Sequence, residues 1–290
     1  MNDEPQIQHS RSAEGRGRFH ALVDGHPIEL DYLQRGDQID FHHTGVDPAL
    51  QGRGLAAKLV EHGLQWLAGQ DGWQLRPSCS YVAAYLKRQP RWQRLTLPRP
   101  AQQVLNYWFG AMGSAEEGQI RALWFTKSES TDAEIGQRFG DLIDSALSGG
   151  LQDWRASALG RLARIVVLDQ FTRNHFRGQA RSFAGDPQAL SEALALLDDS
   201  AAFAGLQPLQ QWFALMPLEH AENPALQARC VQEFEALARL DPRLEGALDY
   251  ARKHQVVVER FGRFPHRNAI LGRPSTAEEE AFLAGPNSSF

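Results

Sequence analysis

The run VDPALQGRGLAAKLVEHGL, Val46 to Leu64, joins a glycine turn to a helical period. Gln51, Gly54 and Ala56 fit the pattern Q/R-x-x-G-x-G/A, with Gly52 adding freedom at the tightest point. Missing side chains let backbone N–H groups approach an anion, and the first turn of a helix adds unpaired N–H groups and the positive end of its dipole. A pyrophosphate suits such a turn. A plain strand-to-helix connection uses the same glycines, so both readings stand on the pattern alone. No GKS/T follows, and no acidic residue stands at the spacing of a dinucleotide fold, which excludes two common phosphate-binding designs.

A second group of chemical residues lies in the C-terminal half. In GRLARIVVLDQFTRNHFR, Leu162, Ile165, Val166, Asp169, Arg173 and Phe176 recur at spacings of three and four, which puts Asp169 and Arg173 on the inward stripe as an (i, i+4) ion pair. In LQQWFALMPLEH, Leu209, Trp212, Phe213, Met216 and His220 do the same, provided the helix survives Pro217. In DYARKHQVVVERF, Tyr250, His254, Val257, Val258 and Phe261 share a face. Buried charge is costly unless paired, so these groups meet one another or line a pocket. Asp169, Arg173, His220 and His254 form the expected cluster, with Asn174 and Glu219 beside them in sequence. A network that fixes helix register and a ligand site both explain it. No metal is expected, because no HxxE or HxxxH spacing supports one at this cluster and Arg173 would repel a cation. The segment FGRFPHRNAILGRPST gathers Arg263, His266, Arg267 and Arg273 beside Asn268. Such a loop either grips a phosphate or carboxylate through forked guanidinium bonds, or caps helix ends and pairs with nearby carboxylates.

The elements that must position these groups have two grammars. Arg18 to Val46 reads as a three-stranded meander with turns at DG and RGD. From about Gly54 to Gln70 the period is helical, Trp73 to Leu75 suits a further strand, and Tyr81 to Leu86 a short helix. LTLPRPA, Leu95 to Ala101, has two prolines and no helical stripe and reads as a linker. Beyond it the pattern is helical. Asp186-Pro187, Asn223-Pro224 and Asp241-Pro242 each set a capping side chain before a proline, and Ser275 with Glu278 has capping-box spacing.

With 290 residues the chain suits two domains, and a net charge of −5 argues against a general nucleic-acid binder. No apolar run is long enough for a membrane span and the polar start lacks a signal-peptide core, so a cytoplasmic protein is expected. Cys79 and Cys230 are too few for a disulfide framework and are expected to be reduced.

HTGVDPALQGRGLAAKLVEHGL followed by LRPSCSYVAAYLKRQPRW resembles the small YjdJ-type branch of the GCN5-related N-acetyltransferases (GNAT), over roughly Gly17 to Leu95. The resemblance implies that Gln51, Gly52, Arg53, Gly54, Leu55 and Ala56 cradle the pyrophosphate of acetyl-CoA, the co-substrate. It matches Pro77 and Cys79 to a P-x-C segment, whose thiol either accepts the acyl group or merely lines the site. His43 is the candidate base, on the reading that Phe41 and His43 share one strand face and Asp40 and His42 the other; a structural histidine is the other reading. Gly45 stands where the family usually has an acidic residue, and no other acid in the segment is an obvious replacement.

DQFTRNHFRG with SFAGDPQAL, FALMPLEHAE, and the FGRFPHRN segment with its LGRPST extension resemble the bacterial domain of unknown function 924 over about Ala101 to Phe290. That implies a helical, TPR-like fold and brings no reaction. The expectation is an α+β GNAT-like acyl-CoA-binding domain at 1–96, a linker at 97–100 and an all-α TPR-like domain at 101–290. The activity expected is acetyl transfer to an amine or thiol; the rival is a scaffold whose helical part engages a peptide, a protein or a small anion.

Overall fold

The computed structural model describes residues 4–70, 72–286 and 288, so the first three residues of the polar start lie outside it. The chain forms two compact units, one comprising the residues up to Asn106 with Gly110–Glu117, the other Tyr107–Phe109 with the chain from Gly118 onward. No helix among the described residues is long and apolar enough to cross a membrane.

The first unit is built on a five-stranded sheet in the order β1-β2-β3-β4-β5. β1 (Gln8–Arg11), β2 (Arg16–Val23), β3 (His26–Arg35) and β4 (Gln38–Val46) form an antiparallel meander, and β5 (Gln74–Arg76) runs parallel to β4. β1 adds a strand to the expected three; it is exposed throughout, so it carries no apolar alternation to read. Between β2 and β3, Asp24 and Gly25 both take positive φ, 51° and 82°, as a two-residue turn matched to strand twist requires. Phe19, Ile28, Leu30, Tyr32, Ile39 and Phe41 fill one face of the sheet. Against it lies α1 (Leu55–Ala68), which buries Leu59, Val60, Leu64 and Leu67. A Cβ at Gly63 would stand 2.7 Å from Leu30 Cδ2, so the helix approaches the sheet only because that side chain is missing. α2 (Ser80–Arg88) packs on β4 and α1.

The segment read as a linker is ordered differently. Leu97 is buried, and α3 (Arg99–Phe109) starts two residues later, with Pro98 at its N-cap and Pro100 in its first turn. At those positions a proline loses no helical hydrogen bond, so the two prolines start a helix instead of breaking one.

The second unit contains α4 (Glu129–Leu147), α5 (Ala158–Ile165), α6 (Thr172–His175), α7 (Asp186–Asp198), α8 (Ser200–Ala204), α9 (Pro208–Glu219), α10 (Pro224–Leu240), α11 (Glu245–Phe261) and α12 (Ala277–Leu283). α5 and α6 are joined without a break by a π-helical turn, Val166–Phe171, buried along its whole length. Asn223 and Asp241 cap as their types suggest, accepting backbone N–H groups of Ala225 and Arg243. Asp186 does not: Gly185 is the N-cap of α7, pressed so closely on the π-helical turn that a Cβ there would fall 2.1 Å from the Leu168 carbonyl oxygen. The capping box of α12 is Thr276 with Glu279, one residue beyond the expected pair. Pro217 lies inside α9, which continues past it to Glu219. Trp108, Trp124, Phe171 and Phe213 interlock edge to face in the core, the Trp124 and Phe213 centroids 4.7 Å apart.

Candidate functional site

In the first unit Asp47 ends β4 and accepts the Ala49 N–H at 2.9 Å, which closes the single turn Pro48–Leu50. Gly52 and Gly54 follow at φ 79° and 73°, a region other residues enter at a cost. A Cβ at either would meet nothing within 4 Å, so the space over the turn is open. Gly54 is the N-cap of α1 and offers no side chain to its N–H groups; the Lys58 N–H is the first to find an acceptor in the helix, the Gly54 carbonyl. The N–H groups of Leu55, Ala56 and Ala57 precede that bond at the positive end of the helix dipole. Leu55 is buried, so only its backbone N–H is offered at the turn. Arg53 pairs with Asp24 at 2.6 Å on the exposed side of the turn, and Gln51 is exposed. The turn fits a pyrophosphate.

Between the turn and Cys79 the two parallel strands part. β5 pairs with Gln38, Ile39 and Asp40 of β4 and then ends, and the Cys79 N–H makes a last link to the Phe41 carbonyl at 2.9 Å. β4 runs on to Val46, so its edge from His42 onward has no strand partner on that side among the described residues. Cys79 stands at the mouth of this gap as the N-cap of α2, its sulfur 3.5 Å from Thr44 Oγ1. Burial would raise the thiol's pKa, but hydrogen bonds from the Thr44 hydroxyl and the Val82 and Tyr81 N–H groups prevail and hold it below the usual range.

His43 is not beside that thiol. Asp31 pairs with His43 while Tyr32 pairs with Phe41, which makes His42 an extra residue, a β-bulge. The bulge resets the alternation, so Phe41 is buried and His43 is turned to the opposite face, half exposed, with Nε2 3.5 Å from Glu29 Oε1. Thr44 takes the place beside Cys79 that simple alternation denied it. Glu29 is also the acid that sequence reading missed. It lies directly across from Gly45, and a Cβ at Gly45 would be 3.3 Å from its Oε1 and 3.1 Å from His43 Nε2. Glu29 thus brings a carboxylate against position 45 from β3, a neighbour only the hairpin register could reveal.

The helical unit brings most of its predicted polar residues together. Asp169 is fully buried in the π-helical turn, where His220 Nδ1 and Arg173 Nη1 approach Oδ1 at 2.7 and 3.0 Å. Arg173 also forks onto Asp186 at 2.9 and 3.1 Å, and Arg267 reaches Asp186 at 3.3 Å. Asp186, read from sequence as a cap, is therefore the acid that joins two arginines. His254 Nδ1 lies 3.0 Å from Glu219 Oε1, and the His220 and His254 ring centroids are 6.3 Å apart. Beside His254 and Arg267 the buried Phe264 separates His266, whose pKa burial lowers to about 4. Tyr250 leaves the shared face: the residue is 55% exposed and its carbonyl meets His254. Asn174 also departs, bonding to Asp132, which Arg177 grips by a fork. Arg263 forks onto Glu279, and Arg273 binds Glu222 and Asn268. Among the described residues no group of three or more His, Cys, Asp or Glu is arranged to hold a metal.

Comparison with known proteins fits this division. Residues 18–95 match the family model for GCN5-related N-acetyl-transferase, and residues 104–287 match that for bacterial protein of unknown function (DUF924). The latter covers more than half of the chain, and the chain belongs to the DUF924 family. A solved Agrobacterium tumefaciens protein of unknown function, ATU0120, is similar at 34% identity and a TM-score of 0.53, over 63% of this chain and 96% of that one. No curated protein matches.

Proposed function

We propose that the first unit has a GNAT-type fold, binds acetyl-CoA and transfers its acetyl group to an amine or thiol acceptor. The parting of β4 from β5 carries the reading, because it leaves a strand edge open between an anion cradle and an activated thiol. Backbone N–H groups from Gly52 to Ala57 hold the pyrophosphate, and the free edge of β4 lets the linear arm of CoA lie toward Cys79. The Cys79 thiolate attacks the thioester carbonyl; a new S–C bond forms, the bond to the CoA sulfur breaks, and CoA leaves as a thiolate that takes up a proton. The acceptor then displaces Cys79 from the acetyl group. Glu29 and His43 lie on the other face of β4, away from Cys79, so the proton that an amine loses passes to the departing Cys79 thiolate. The helical unit, read as TPR-like, presents the acceptor or holds a peptide or protein partner.

Calorimetric titration of CoA into the wild-type chain and Gly54→Glu tests the cradle. The variant strains a positive-φ site and sets a carboxylate against phosphate, and its affinity should fall at least about tenfold, or about 1.4 kcal/mol. Equal affinities would overturn the cradle assignment.

A further inference from the structure

The helical unit holds groups that acetyl transfer does not use. Burial would raise the pKa of Asp169, but the charge of Arg173 and hydrogen bonds from His220 and Gln170 hold it well below the carboxylate range. With Asp169 ionised, the 2.7 Å contact places the hydrogen on His220 Nδ1. Burial and then the charge of Arg173 lower the pKa of His220, which favours the neutral ring with its lone pair on Nε2. Nε2 has no hydrogen-bond partner among the described residues, and 12% of the side chain is exposed. An acid that fixes the tautomer and orientation of an imidazole is the arrangement by which histidine bases are prepared.

Arg267 is the second unusual group. Its guanidinium lies between the rings of Phe183 and Phe264, 4.8 and 4.6 Å from their centroids, and only 7% of the side chain is exposed. Nη1 donates to Asp186, while Nε is buried without a partner. A guanidinium has five N–H donors, and leaving one buried and unpaired is costly. The arginines around it are closed: Arg173 on Asp186 and Asp169, Arg273 on Glu222 and Asn268, Arg263 on Glu279. Arg155 and Arg164 also leave a buried Nε without a hydrogen-bond partner, but each lies against the Glu192 carboxylate, at 3.0 and 3.3 Å. Arg267 is wired to the histidine through one chain of contacts, His220 to Asp169 to Arg173 to Asp186 to Arg267.

We propose that this cluster is a binding site for a small oxyanion, a carboxylate or phosphate, held on the Nε and Nη2 edge of Arg267, with His220 Nε2 as the group that accepts a proton or hydrogen bond from the ligand. The two aromatic faces hold the guanidinium plane, so the unpaired Nε edge is a preorganised fork of the kind that matches two oxygens of one anion. The site is independent of the acetyl-CoA reading.

The test is a titration of the full chain with inorganic phosphate and, separately, with lactate, against chloride at matched ionic strength. The Arg267 Nε–H resonance and the unfolding temperature are the readouts. A saturable shift of that resonance with one anion, accompanied by stabilisation that chloride does not give, is expected, and the anion that acts identifies the ligand class. Gly54→Glu should respond like the wild type, which separates this site from the glycine turn. Arg267→Lys, which keeps the charge and loses the fork, should bind at least about tenfold more weakly. No saturable response to either anion in the wild type would overturn the proposal even if the variant failed to fold; so would an unchanged response in a folded Arg267→Lys.

Discussion

The two cysteines show how environment separates identical side chains. Cys79 is half-buried at a helix start with its thiol pKa lowered, whereas Cys230 is fully buried and is raised by burial and by Glu219 and Glu233. Iodoacetamide near neutral pH should therefore label Cys79 in the native chain and spare Cys230, and Thr44→Val should slow labelling of Cys79 by removing a hydrogen bond to its sulfur. Equal labelling of both cysteines, read by peptide mass, would contradict the assigned environments. Residue types alone pointed to Cys79, His43, Asp169 and His220. They could not show that Glu29 fills the place over Gly45, because cross-strand neighbours follow from register, nor that Asp186 serves two arginines, because an Asp-Pro pair reads locally as a cap.

Elements were legible where a period persists. The alternation of β2 to β4 and the stripe of α1 are plain in the chain, and β4 illustrates the limit: one bulged residue, His42, reverses every facing after it. The π-helical turn is another irregularity, and it places Asp169 within a stretch buried along its whole length. The segment read as a linker ends in helix for a related reason, since prolines mark both helix starts and breaks. Asp186→Asn tests how the elements are tied. It removes the charge shared by α6 and the segment after α11, and because Asp186 is 21% exposed the loss should be about 2 kcal/mol, below the usual range for fully buried pairs. Urea unfolding should show a lower midpoint; an unchanged midpoint would mean that the ion chain does not hold these elements together.

At the scale of the whole molecule, the division into a sheet-based unit and a helical unit was readable from the change of period; the family matches part between residues 95 and 104, and the compact units part within α3. The helical unit should be acid-sensitive. Glu279 is lowered to about 2, first by its hydrogen bond from Arg263 and then by the Thr276 N–H, and Asp169 is lowered by Arg173 and His220 against burial. Groups with depressed folded values stabilise fully above the unfolded carboxylate range and lose that contribution as pH falls toward the folded value. The unfolding temperature should hold near pH 6 and drop from about pH 4.5 toward about pH 2, followed by circular dichroism at the helical band. A flat profile across that window would contradict the pairings. The acetyl-transfer proposal meets its most direct test in native mass spectrometry of the full chain incubated with acetyl-CoA. A stoichiometric CoA adduct is predicted, with acetyl retained on Cys79 after ejection of the ligand and absent in Cys79→Ala. A chain that shows neither adduct nor acetyl, at concentrations where a control acetyltransferase is saturated, would contradict it.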